Sequence, residues 1–322
     1  MPTIPAKIDF HRARDFGETL NVSFLFIRQH FKPIMLGMLF IAGPFVLVGS
    51  VIPIMMLSRL SGPAAESSSW LVNFGTSTLV NILASLVGAV MSVGVVYEYI
   101  LLYYRRDTHG EIGTADLWQA IREDFWRILL AMVGSVVVFS FGVAALMMTA
   151  VLVGAALGPA GVFFLVVGVS VLTTYLLVPV TLVVIISLHE QISFFDALPR
   201  AFYLVKGYWW QTFGLIIICL LIGWAVVFAC LVPFTIIGFS SEMFTEMGSS
   251  LQNTVTFAIG FSVAVTLITA LSYCIFLTVS AFQYFNLVER KESVGLLQKI
   301  DSMGTEAPAP ARDFYADEEE HY

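Results

Sequence analysis

Charge is scarce in this sequence. Asp, Glu, Lys and Arg make up 12% of the 322 residues, against about 25% in ordinary soluble domains. Apolar types make up 58%, and the mean hydropathy is +0.87. No soluble core of this length needs so much apolar surface, so a soluble globular protein is excluded and an integral membrane protein remains. Cysteine is rare too. Cys219, Cys230 and Cys274 all fall inside apolar runs, and the first two lie about three turns apart on one predicted helix, too far to bridge. They read as structural thiols, not as a disulfide framework.

The signatures of catalysis are also missing. No GxSxG, Walker loop or dinucleotide fingerprint occurs in a usable context. His11, His30, His109, His189 and His321 are scattered, and none has the spacing of a metal pair such as HExxH. His189 and Glu190 are neighbours in SLHEQIS, and adjacent residues point to different sides of a helix, so they read as a helix-end cap. Asn21-Val22-Ser23 is a formal glycosylation sequon, but it falls on the predicted cytoplasmic side. We therefore expect no enzyme activity, no cofactor and no metal. The net charge of −7 comes largely from the C-terminal tail and implies no nucleic-acid partner.

What is present is a series of long apolar runs. Residues 1–32 are polar and amphipathic, and the first long run waits until Pro33, so the segment is expected to stay on the protein and lie on the membrane surface, unlike a cleaved signal peptide. Six spans are expected, at about 33–57, 70–104, 125–153, 162–188, 210–237 and 255–285. Pro44 and Pro53 are expected to kink the first. The second is too long to cross upright, and Tyr97, Tyr99, Tyr103 and Tyr104 before Arg105 and Arg106 place its end at an interface. LGPAG (157–161) is read as the link between the third and fourth spans, and Gly142, Gly154, Gly158, Gly161 and Gly168 as close-packing positions inside one subunit. Residues 287–322 leave the membrane, with a short helix and then an Ala/Pro-rich, acidic, disordered end.

One stretch recurs. In ISFFDALPRAFYLVKGYWWQTFGLIII (192–218), Asp196, Leu198, Phe202, Val205, Lys206 and Trp209 match Glu18, Leu20, Phe24, Ile27, Arg28 and Phe31 at identical offsets from the acid. A third copy, with Asp116, Ile121, Arg122 and Phe125, fits if about one helical turn is missing between acid and base. Apolar residues at these spacings form one helix stripe, and the base and aromatic at its end suit a headgroup interface. The chain thus reads as three repeats of a cytoplasmic amphipathic helix plus two transmembrane helices: 1–110, 111–190 and 191–286, followed by the tail. With the N-terminus inside, 15 of the 16 Lys and Arg face the cytoplasm and only Arg59 lies outside, which puts both termini in the cytoplasm by the positive-inside rule.

Glu98 is the ionisable residue that stands out in a span. It lies seven residues before Arg105, about 10 Å from the interface, and must face protein or water instead of lipid. It reads either as a partner for neighbouring polar groups or as a proton or substrate site.

The pattern Asp196-Ala-Leu, Arg200-Ala-Phe202, Lys206-Gly-Tyr-Trp209-Trp210 and Thr212-Phe-Gly214 resembles the membrane domain attached to some glycerophosphodiester phosphodiesterases and the YciC-like inner-membrane family. RDFGETLNVSFLFIRQHFKPI and FNLVERKESVGLLQKID look more narrowly like uncharacterised membrane proteins of Bacteroidota. The resemblance implies the bacterial inner membrane. The soluble phosphodiesterase domain and its metal-binding carboxylates have no counterpart in this sequence, so hydrolysis is not implied. The expected role is a non-catalytic accessory subunit or scaffold that meets lipid, or a protein partner, through its cytoplasmic face or acidic tail. The alternative is a small transporter or lipid-handling protein with a central cavity holding Glu98.

Overall fold

The structure, a computed structural model, describes residues 8–10, 12–60, 70–106, 112–239, 251–295, 297 and 300. The expected links at 61–69 and 240–250 and the acidic tail from 301 lie outside the described residues. The elements are α1 (Phe16–Gly37), a π-helical segment (Met38–Ala42), α2 (Gly43–Leu60), α3 (Trp70–Arg105), α4 (Thr114–Val180), α5 (Val183–His189), α6 (Phe194–Val205), α7 (Trp209–Phe239) and α8 (Leu251–Glu292). There is no strand among the described residues. Six segments are long and apolar enough to cross a membrane: Phe16–Met55, Gly75–Arg105, Thr114–Thr149, Leu165–His189, Trp209–Val232 and Ile259–Glu292. The protein is an all-α, multi-pass membrane protein.

The expected first surface helix and first span form one helical run whose breaks follow its prolines. His30 leaves helical geometry, with φ −111° and ψ 18°, three residues before Pro33. A proline ring clashes with the carbonyl four residues back, here that of Gln29. Pro44 removes another donor, and the π segment ends just before it, with the Gly43 N–H bonded to the Met38 carbonyl. Such π adjustments re-satisfy backbone groups that proline frees in lipid. Pro53, also an expected kink, sits within α2.

The expected third span and the fourth as far as Val180 lie in a single helical run of 67 residues, the rest of the fourth falls in α5, and LGPAG does not interrupt the run. Straight, such a run measures about 100 Å. Its two ends exclude that shape. Arg127 bonds the Gln191 side chain, and the Phe194 ring lies 2.8 Å from where a Cβ on Gly134 stands. Gly134 and Val178 are about 66 Å apart along a straight helix, too far for the short chain from Val178 to Phe194 to close. The run therefore doubles back between them.

Helix α8 packs against α7, α2, α1 and α3. It does not end at Phe285, as expected, but continues to Glu292. Phe10, ahead of α1, inserts beside it, stacked on Phe282 at 5.2 Å and edge-on to Phe285 at 4.9 Å. Outward-facing side chains are apolar, among them Phe141, 73% exposed, and Leu130, 62% exposed. In water so much exposed apolar surface is an association site; in a bilayer it is the ordinary solvent face. Cys219 and Cys274 are buried, and all three cysteines are unpaired.

The close approaches fall at glycines other than those expected. Gly142 and Gly168 have nothing within 4 Å of a Cβ position, so both border open space, while the side-chain surroundings of 154, 158 and 161 lie outside the described residues. Tight contacts occur instead at Gly37 against Leu117, Gly49 against Ser85, Gly94 against Ile121 and Ile128, and Gly134 against Phe194. Replacing Gly134 by Leu is expected to cost about 1–3 kcal/mol, as overpacking does, and to lower the thermal midpoint in detergent. Gly142→Leu is expected to leave it in place. Equal midpoints for the two variants would contradict this packing.

Candidate functional site

The three matched acids occupy one structural position. Glu18, Asp116 and Asp196 each stand in the first turn of their helix, three residues after the N-caps Asp15, Gly113 and Ser193. Each carboxylate reaches back to its cap: Glu18 accepts from the Asp15 N–H at 3.3 Å, Asp116 from the Gly113 backbone, and Asp196 from the Ser193 hydroxyl at 2.7 Å. Acids there complement the helix dipole and the unpaired N–H groups. The matched bases Arg28, Arg122 and Lys206 are all exposed; of the matched aromatics, Phe31 is exposed and Phe125 and Trp209 are half-buried.

Within the matched apolar stripe only Val205 and Ile121 are buried. Leu20 and Leu198 are only half-buried and Phe24 is exposed, whereas the positions one and five after each acid are buried: Thr19 and Ser23, Leu117 and Ile121, Ala197 and Ala201. In the first and last copies those residues are small, so the helices approach closely and the larger apolar side chains turn outward.

All three helix starts gather at one end of the bundle. Arg106, just beyond α3, donates to Asp116 at 2.7 Å. Arg290 of α8 donates to the Arg14 carbonyl at 2.7 Å and to Asp15 at 3.3 Å. Asn286 accepts from the Arg14 N–H at 2.8 Å and donates to Thr19 and Gln283, and Gln283 donates to Thr212 of α7 at 2.9 Å. Gln283 and Asn286 are buried. This ladder ties the segment before α1 and the start of α7 to one face of α8. Burial holds the Arg14 guanidinium below the usual arginine value, and its Nη1 has no hydrogen-bond partner among the described residues.

A second cluster joins α5, α6 and α8. Arg200 meets Glu190 through Nε at 3.1 Å and Glu292 through Nη1. The hydrogen bond that Arg200 donates to Glu292, reinforced by Glu190, pushes its guanidinium above its ordinary value, so it stays charged at every physiological pH. The Tyr284 hydroxyl donates to Glu190 at 3.0 Å and lies 2.9 Å from His189 Nδ1. His189 and Glu190 thus converge on one hydroxyl, against the expectation for adjacent residues. The reason is that α5 ends between them: Glu190 is its C-cap and Gln191 is left-handed at φ 55°. Tyr104, Phe285, Glu289 and these residues line a cleft of about 190 Å³.

Glu98 is 1% exposed, and its Oε1 has no hydrogen-bond partner among the described residues. The charges that bear on it are Asp124, Arg105, Arg127 and Glu123, two of each sign at the junction with α4. It lines neither the polar cleft nor an apolar cleft of about 230 Å³ among α1, α2, α3 and α8. Among the described residues no group of three or more His, Cys, Asp or Glu is placed to hold a metal.

Sequence reasoning missed the clusters around Arg200 and Asn286. One signal was present: Gln283, Asn286 and Arg290 recur at three and four residues, a polar stripe closing an apolar run. No family model, curated protein or solved structure matches the chain.

Removing Arg200 leaves Glu190 and Glu292 without their shared cation. Arg200→Gln is expected to cost about 1.5–3 kcal/mol, as for hydrogen bonds to charged groups. In a double-mutant cycle with Glu292→Gln, read by thermal unfolding, the two losses are expected to be non-additive by at least about 0.5 kcal/mol. Additive losses would contradict the pairing.

Proposed function

We propose that the chain is a non-catalytic protein of the bacterial inner membrane, built from three repeats with both termini in the cytoplasm. It acts as an accessory subunit or scaffold of a membrane complex through its cytoplasmic face. The observation that carries this reading is where the ion pairs lie among the described residues: the three helix starts and the Arg200 and Asn286 clusters share one end of the bundle, while the larger cleft deeper in the helices is apolar. That end also presents Trp118, Trp126, Phe195 and Trp210, between 44% and 82% exposed, with the exposed bases Arg122 and Lys206. Aromatic and basic side chains of this kind sit at headgroup level and are common in interface cores. The basic-residue count supports a cytoplasmic position for this end, and the resemblance to the phosphodiesterase membrane domain and the YciC-like proteins supports a bacterial membrane origin. Glu98 acts in this reading as a packing residue between α3 and α4.

A lipid-handling or transport role is the second reading, favoured by the apolar cleft. Purification from native membranes in mild detergent, followed by mass spectrometry, separates the two. A stoichiometric protein partner is expected, lost in the triple variant Trp118→Ala/Arg122→Gln/Lys206→Gln but kept in Glu98→Gln and, unless the tail takes part, in a chain lacking 303–322. A solitary protein in all four preparations would overturn the scaffold reading.

A further inference from the structure

The apolar cleft has a built-in orientation. One wall is a stripe of the first helical run, Met35, Leu39, Ala42 and Val46, and the opposite wall is Leu267 and Leu271 of α8. From Met35 to Val46 the wall is about 16 Å long, the depth of one leaflet of a hydrocarbon core about 30 Å thick. The small residues Ala42 and Gly43, at the end of the π segment, leave the cleft open at about 230 Å³.

Above this stripe stand two cations. Lys32 lies three residues and Arg28 seven residues before Met35, about 5 and 10 Å nearer the polar end. Both are exposed, and neither makes an ion pair among the described residues, although Arg106, Arg127, Arg200 and Arg290 all do. No acid occurs between Glu18 and Glu66. His30, between the two cations, is already engaged by the Tyr99 hydroxyl at 2.9 Å.

We propose that this cleft seats one acyl chain of an anionic phospholipid whose phosphate lies at Arg28 and Lys32. Charge selects the headgroup, and the leaflet-deep apolar slot below it takes the chain. The lipid is a resident part of the fold, so the proposal depends neither on a protein partner nor on transport.

The test uses the full chain in nanodiscs of equal parts phosphatidylglycerol and phosphatidylethanolamine, with native mass spectrometry counting the lipids retained on release. The wild type is expected to retain one phosphatidylglycerol in preference to phosphatidylethanolamine. Arg28→Gln/Lys32→Gln is expected to lose that preference about thirty-fold, about fivefold for each basic side chain near the surface. Ala270→Phe, which fills the cleft from α8, is expected to lose the retained lipid of either class. Leu39→Trp, at an exposed position, serves the same purpose if Ala270→Phe does not fold. Equal retention of both lipids by the wild type, or undiminished retention in the filled-cleft variant, would overturn the proposal.

Discussion

Hydrocarbon supplies no hydrogen bonds, so a polar group that enters a bilayer must find its partner in the protein. The end of α8 is arranged around this constraint. Gln283, Asn286 and Arg290 form a ladder that takes up the Arg14 backbone, Thr19 and Thr212, and so brings the segment before α1 and the start of α7 against the same helix. Two residues further on, Glu292 holds Arg200 of α6. Among the described residues the ion pairs thus lie in a layer at one end, and beyond that layer the helices meet through small residues, apolar side chains and single hydrogen bonds such as Asn81 to the Gly49 carbonyl and Ser262 to the Ser50 carbonyl.

The matched stretches acquire a physical meaning from that layer. Their acids cap helix starts, where the first N–H groups have no partner of their own. Their small or buried positions, one and five residues after the acid, form the packing face, and the larger apolar residues are left for lipid. An inward helix face is ordinarily the apolar one, but in lipid the outer face is apolar as well, so hydrophobicity alone does not tell the two apart. This is why the matched apolar stripe includes Leu20, Phe24 and Leu198, which are not buried, and leaves out Thr19 and Ser23, which are.

The spans are legible in the sequence because length and hydropathy are additive along the chain. The expected span at 70–104 and helix α3 (Trp70–Arg105) differ by one residue at one end. Continuity is not legible. Pro33 reads as the start of a span, yet the helix runs through it with a kink, and LGPAG lies inside a helical run that folds back on itself. The Arg200 cluster is hidden for a different reason. Its members come from three elements, and Glu190, which accepts from Tyr284 94 positions away, sits at a helix end followed by a left-handed residue that no periodicity announces. Glu98 is legible as buried, and its environment proves to be closed packing beside Asp124 and Arg127.

Placement of the three helix starts on one side of the membrane is the claim on which the rest depends, and impermeant labelling tests it most directly. In a background with Cys219, Cys230 and Cys274 replaced, single cysteines at Arg12, Trp118 and Phe195, all exposed positions, would be treated with a charged maleimide in intact cells and again after the membrane is opened. All three are expected to label only after opening, while a cysteine at Ser61, close to Arg59 in the chain, is expected to label in intact cells. Labelling of any one of the three from outside would contradict that placement.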